Sequence, residues 1–161
     1  MKTKINIALY SPEIPQNTGN ISRTCAVTGA ALHIIKPIGF EISDRTLKRA
    51  GLDYWDKLEV YYYESYEEFL SSHKGCEIYY FSAKGNKSYA SVIYPDEVYL
   101  VFGKESVGLP PEIIERNFER TLRVPMIDGV RCLNLSNTAA IAVYEVLRQR
   151  NFEGFLTEGS R

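Results

Sequence analysis

Apolar and polar positions along this chain fall into short blocks whose period switches repeatedly between strand-like and helix-like. Residues 4–10, Lys-Ile-Asn-Ile-Ala-Leu-Tyr, read as a buried strand. Two prolines keep residues 11–16 out of any helix interior, and Asn17-Thr18-Gly19-Asn20 opens a helix to about Thr28, stopped by Gly29. Ile21, Cys25 and Thr28 share its inner face, and Arg23 points elsewhere. A second strand covers 31–35. Ser43-Asp44 caps a short basic helix over 45–50, stopped by Gly51. Further strands are expected at 58–63, 77–81, 98–102 and 121–124, with helices at 66–72, where Phe69 and Leu70 face inward, and at 112–117. A last helix starts at Ser136 or Asn137, either of which would cap it, and runs to about Arg150 with Ala140, Val143, Tyr144 and Leu147 on its apolar stripe.

Strands alternate with helices, and several strands are apolar on both faces. The expectation is an α/β domain built on a mostly parallel sheet with helices on both faces. The 161 residues make one domain, 1–161, with 152–161 as a loose tail. In such sheets ligands sit in the loops after the carboxyl ends of strands. The unusual loops here, 11–20, 82–87, 103–110 and 125–137, all follow strands.

Composition narrows the chemistry. No apolar run approaches the roughly 20 residues of a membrane span, and residues 1–4 lead straight into a strand, so a soluble, cytoplasmic protein without a leader is expected. Cys25, Cys76 and Cys132 lie far apart, and only His33 and His73 supply imidazole, which argues against a metal centre and against histidine-based catalysis. His33, in an apolar strand, reads as a packed histidine. Net charge is −1, but it is unevenly spread: 8 Lys/Arg against 5 Asp/Glu over 1–57, 5 against 11 over 58–119, and 6 against 4 over 120–161. A polyanion would meet the two ends.

Neither GxGxxG nor GxxxxGK[ST] is present. In the 102–110 segment Gly103 would let a ligand approach the backbone, Gly108 permits a positive φ, and Glu105 stands between them. The 131–140 segment gathers Asn134, Ser136, Asn137 and Thr138 beside a helix start, more polar groups than a cap needs. Near these loops the chemistry-bearing residues are Asn17, Arg23, Glu105, Asn134 and Ser136. They form a binding and polarising set, suited to a reaction whose reactive group arrives with a cofactor.

Residues 15–23, 102–110 and 133–137 resemble, in order and spacing, the three motifs of the SPOUT RNA methyltransferases. With residues 49–54 and no added RNA-binding domain, the chain resembles most closely the minimal TrmL/YibK-like tRNA (cytidine/uridine-34)-2'-O-methyltransferases. That resemblance implies an α/β trefoil knot in the C-terminal part, a homodimer, and S-adenosyl-L-methionine held mainly by backbone around Phe81, Gly103, Val124, Cys132 and Leu133, giving S-adenosyl-L-homocysteine. It implies methyl transfer to the ribose 2'-hydroxyl of nucleotide 34 of leucine tRNAs, with Arg23 as activator and Asn17 and Glu105 positioning Arg23 or the ribose. A guanidinium suits a phosphate contact or alkoxide stabilisation better than a literal base role. Asn134 and Ser136 would order the cofactor loop. Related enzymes often carry Ser where this chain has Cys132; a backbone contact survives that exchange, a hydroxyl contact does not, and Cys132 also reads as a small packed residue. Lys48, Arg49, Lys84, Lys87 and Arg131 are candidate phosphate contacts. Two other readings stay open: the same chemistry on ribosomal RNA, and a non-catalytic RNA-binding module.

Overall fold

The computed structural model describes residues 4–41, 56 and 58–160. Its strands are β1 (Lys4–Tyr10), β2 (Ala31–Ile35), β3 (Val60–Tyr63), β4 (Ile78–Phe81), β5 (Lys87–Ser88), β6 (Glu97–Phe102) and β7 (Thr121–Arg123). They form one sheet in the order β3-β2-β1-β6-β4-β7-β5, and every pairing is parallel. The two-residue β5 is too short to show a period, so sequence pattern missed it. The helices are α1 (Pro15–Thr28), α2 (Tyr66–Ser72), α3 (Pro111–Arg116) and α4 (Leu135–Gln149). The expected basic helix at 45–50 and the 49–54 segment lie outside the described residues. None of the described helices is long and apolar enough to cross a membrane.

Period-2 alternation divides the core in two. Ile5, Ile7 and Leu9 of β1, Leu32 and Ile34 of β2, and Val98, Leu100 and Phe102 of β6 face α1 and α4. Ala8, Ile35, Tyr99 and Val101 face the opposite way, where Phe69 of α2 and Ile113 of α3 cover them. Helices therefore lie on both faces, as the pattern requires. After β7, beside β4, the chain passes over the sheet's carboxyl edge and returns as α4 against α1, β1 and β6. That course fits the knotted C-terminal part implied by the resemblance.

Several local expectations need correction. α1 begins two residues early because Pro15 suits the first helical turn, where no N–H is needed. α4 begins at Leu135 with Asn134 as its cap; neither Ser136 nor Asn137 takes that place. Its buried stripe is Ser136, Ala139, Ala142, Val143, Val146 and Leu147, leaving Tyr144 43% exposed and Ala140 only half-buried. Leu70 is exposed, so α2 is anchored by the buried Phe69 together with Tyr66, which packs on the same cluster. Beyond α4, Phe152 and Phe155 of the expected loose tail pack on the core.

The loop after β6 closes on itself, with Lys104 N–H donating to Gly108 C=O (3.2 Å) and Gly108 N–H to Lys104 C=O (2.9 Å). A Cβ on Gly103 would stand 2.3 Å from Gly108 C and from Leu109 N. The loop's own backbone thus requires Gly103, a demand that stands beside any service to a ligand. The loop after β4 presses equally closely on β7: a Cβ on Gly85 would stand 2.3 Å from Leu122 C. Ser82 N–H donates to Leu122 C=O (3.0 Å) and Asn86 N–H to Thr121 C=O (2.8 Å).

His33 is packed, as expected, in a directed hydrogen-bond chain. Asn6 Nδ2 donates to Val98 C=O (3.3 Å), which turns Asn6 Oδ1 toward His33 Nε2–H (3.0 Å). Tyr63 O–H then donates to His33 Nδ1 (2.8 Å), and His73 Nε2–H donates to the Tyr63 oxygen (2.8 Å). Burial, reinforced by His73 and Lys4, pushes the His33 pKa down to about 3.

Two stability tests follow from these contacts. Unfolding returns His33 to an ordinary value near 6.5, so the unfolded chain binds the extra proton. The contribution is complete above that value and is lost as pH falls through it toward the folded value, at up to about 1.4 kcal/mol per pH unit. Urea midpoints should fall between about pH 7 and about pH 5, and His33→Phe should flatten the dependence while lowering stability. Gly103→Ala should cost about 1–3 kcal/mol in the same urea titration, because backbone must move to admit the methyl.

Candidate active site

The carboxyl ends of β1, β6, β4 and β7 are adjacent in the sheet, and the loops leaving them enclose a cavity of about 700 Å³. Phe81 and Phe102, at the ends of β4 and β6, stack with ring centroids 4.8 Å apart and form part of its wall. Val124, Met126, Leu133 and Leu135 add apolar surface, while the 103–108 loop adds main-chain polar groups. This mixture of apolar slots and backbone donors and acceptors fits a nucleoside-sized ligand.

Three loops are joined by side chains at the mouth. Asn134 Oδ1 accepts from Ser136 N–H (2.9 Å), Ser136 Oγ–H (2.6 Å) and Asn137 N–H (3.3 Å), capping α4. Its amide Nδ2 donates to Asn17 Oδ1 at 3.1 Å. Asn17 in turn donates through Nδ2 to Glu105 Oε1 at 3.4 Å. Glu105 also accepts from Glu13 N–H (2.8 Å) and Ile14 N–H (3.0 Å), supplying α1 with the cap that Ile14 cannot. The contact is reciprocal. Glu13 accepts from Ser106 Oγ–H (2.6 Å) and Ser106 N–H (3.2 Å), and these bonds hold its carboxyl below the usual range.

Of the residues singled out from sequence, Asn17, Glu105, Phe81, Gly103, Val124, Cys132, Leu133 and Asn134 all line the cavity. Ser136 lies just behind, buried and bonded to Asn134. Cys132 is exposed on the wall, which overturns the packed-residue alternative. Arg23 is exposed on α1 and does not line the cavity of its own chain. Sequence reasoning missed Glu13 and Ser106, whose pairing spans 93 positions and leaves no local signal. It also missed Lys104 and Met126 as cavity residues, while Thr138 of the polar turn does line the cavity.

The SpoU rRNA Methylase family model matches residues 4–144. A Listeria monocytogenes protein provisionally named tRNA (cytidine(34)-2'-O)-methyltransferase is 53% identical over 156 residues, covering 95% of this chain and 92% of that one. The tRNA (cytidine(34)-2'-O)-methyltransferase of Saccharophagus degradans is 46% identical over 150 residues, covering 92% and 97%. A solved structure described as giving insight into 2'-OH methylation of C/U34 on tRNA superposes with a TM-score of 0.89 at 42% identity, covering 95% of this chain and 100% of that one. Matched over nearly its whole length in sequence and in fold, the chain belongs to the SpoU methylase family, among the relatives of the tRNA (cytidine(34)-2'-O)-methyltransferases.

Proposed function

We propose that this protein transfers a methyl group from S-adenosyl-L-methionine to the ribose 2'-hydroxyl of nucleotide 34 in tRNA, with leucine isoacceptors as substrates, as a cytoplasmic homodimer. The observation that carries the reading is the unbroken side-chain path Glu105–Asn17–Asn134–Ser136, which ties the three motif segments together at the mouth of one cavity. The names of relatives at 46–53% identity support the tRNA substrate over ribosomal RNA.

The donor, when bound, supplies a methyl already activated on a sulfonium. The protein's remaining task is to orient the attacking hydroxyl in line and to stabilise charge as its proton leaves. Phe81, Val124, Leu133 and the backbone of Gly103 and Cys132 would hold the donor. Glu105 is a positioning group: its oxygens already accept from two backbone N–H groups and from the Asn17 amide, which leaves it poorly placed to take a proton. Asn17 and Asn134 keep the first and third segments in register. Arg23 acts as the cationic group beside the reacting oxygen or its phosphate. Because it does not line its own chain's cavity, we assign it to the cavity of the second copy, which makes the homodimer part of the site.

Purified protein should transfer labelled methyl from S-adenosyl-L-methionine to tRNA and not to ribosomal RNA, with the label mapping to ribose 34; label confined to ribosomal RNA would overturn the assignment. Arg23→Ala should lower turnover by about 10²–10³-fold with donor affinity unchanged, as for loss of one transition-state donor. Mixing Arg23→Ala protein with a cavity-dead variant should restore part of the activity through mixed dimers; no recovery would return Arg23 to its own chain's site.

Asn134 allows its two roles to be separated. Asn134→Ala removes cap and bridge together, costing about 1 kcal/mol on urea unfolding. Asn134→Asp keeps the cap but turns an oxygen toward Asn17 Oδ1. Its stability should stay near that of the parent while methyl transfer falls as far as in the alanine variant.

A further inference from the structure

Three cations from different strand-end loops meet at the cavity. Lys4, Lys36, Arg120 and Arg148 are each matched by a carboxylate, Glu59, Glu64, Glu77 and Glu145 respectively. Lys84, Lys104 and Arg131, from the loops after β4, β6 and β7, line the same cavity, and none forms an ion pair among the described residues. The sole acidic residue of the lining, Glu105, is bonded to the start of α1 and to Asn17. Glu13, which lies near Lys104, accepts its close hydrogen bonds from Ser106. Lys74, Lys87, Arg116, Arg123 and Arg150 also form no ion pair among the described residues, but they do not line this cavity.

Three cations without an ion pair on one concave surface repel one another, a cost that a bound anion relieves. The proposed methyl donor is not that anion. It carries a positive sulfonium and a positive ammonium against one carboxylate, so it occupies one of the three cations at most. A polyanion remains. Resting on the tRNA reading above, we propose that Lys84, Lys104 and Arg131 grip successive backbone phosphates of single-stranded RNA on either side of the target nucleotide, laying the strand across the carboxyl ends of β4, β6 and β7. Phosphate contacts set register and orientation without reading bases, which is what a cavity with its chemistry at the sheet edge needs from its rim. Lys84 and Arg131 are among the phosphate contacts expected from sequence, and Lys104 joins them here.

The test is the salt dependence of tRNA binding, followed by fluorescence anisotropy over a potassium chloride series for the full chain and for Lys84→Gln, Lys104→Gln and Arg131→Gln. Each substitution should reduce the slope of log K against log salt by about 0.7, the value for one phosphate on a single strand. It should weaken methylated and unmethylated tRNA alike and leave calorimetric uptake of S-adenosyl-L-methionine within about twofold, as phosphate contacts set register without reading bases. Unchanged slopes in all three variants would overturn the grip while leaving the functional reading intact. Loss of donor uptake with an unchanged slope would show that these cations serve the donor, and overturns it equally. If the parent protein methylates no tRNA but the slopes still shift as described, the grip stands and the tRNA methylation reading fails.

Discussion

One carboxamide holds the site together. Asn134 uses its oxygen to cap α4 and its nitrogen to reach Asn17, so the start of the last helix and the start of the first are set by the same planar group. An amide is the side chain that can accept and donate in this way from one rigid plane. Through Asn17 the constraint passes to Glu105 and so to the loop after β6. Four strand-end loops would otherwise be separate surface segments, with the mobility usual for loops. Here three of them are bonded into one frame, and the reciprocal pairing of Glu13 with Ser106 and Glu105 with the backbone of residues 13–14 doubles the link between α1 and the loop after β6.

The frame rests on a sheet whose two faces carry different chemistry. Toward α1 and α4 the core is mostly aliphatic, with Ile, Leu and Val from the central strands and Phe81, Tyr94 and Phe102 among them. On the other face the Asn6–His33–Tyr63–His73 chain runs among Phe69 and Tyr99. The bond from Tyr63 O–H to His33 Nδ1 needs that nitrogen unprotonated, so this face is ordered by the protonation state of His33 as well as by packing. The site lies at the sheet's carboxyl edge, away from that titrating chain.

Fold class and much of the cavity were legible before any coordinates, for identifiable reasons. Apolar runs at β1, β2 and β6 read as strands because they are buried on both faces, and the rule that ligands sit beyond the carboxyl ends of parallel strands picked out the four loops that meet. Local signals failed where the interaction was not local. The cap of α1 comes from Glu105, 91 positions from Ile14, so no capping pattern at residues 13–17 could reveal it. The cap of α4 was misplaced by two residues because Asn134, Ser136 and Asn137 are all plausible caps, and only the bond to Asn17 selects the first. The apolar stripe of α4 was misjudged at Tyr144, since periodicity fixes the spacing of a stripe but not its phase when small residues such as Ala139 and Ala142 carry it.

The two close backbone approaches at Gly85 and Gly103 have a consequence for how such a site can change over generations. Where main chain lies directly on main chain, the local contour is set by peptide geometry, and replacing neighbouring side chains barely alters it. Lys84 and Lys104, by contrast, add side chains to the cavity lining from those fixed loops. A lineage could therefore exchange the side chains carried by these loops while inheriting the same main-chain contour beneath them.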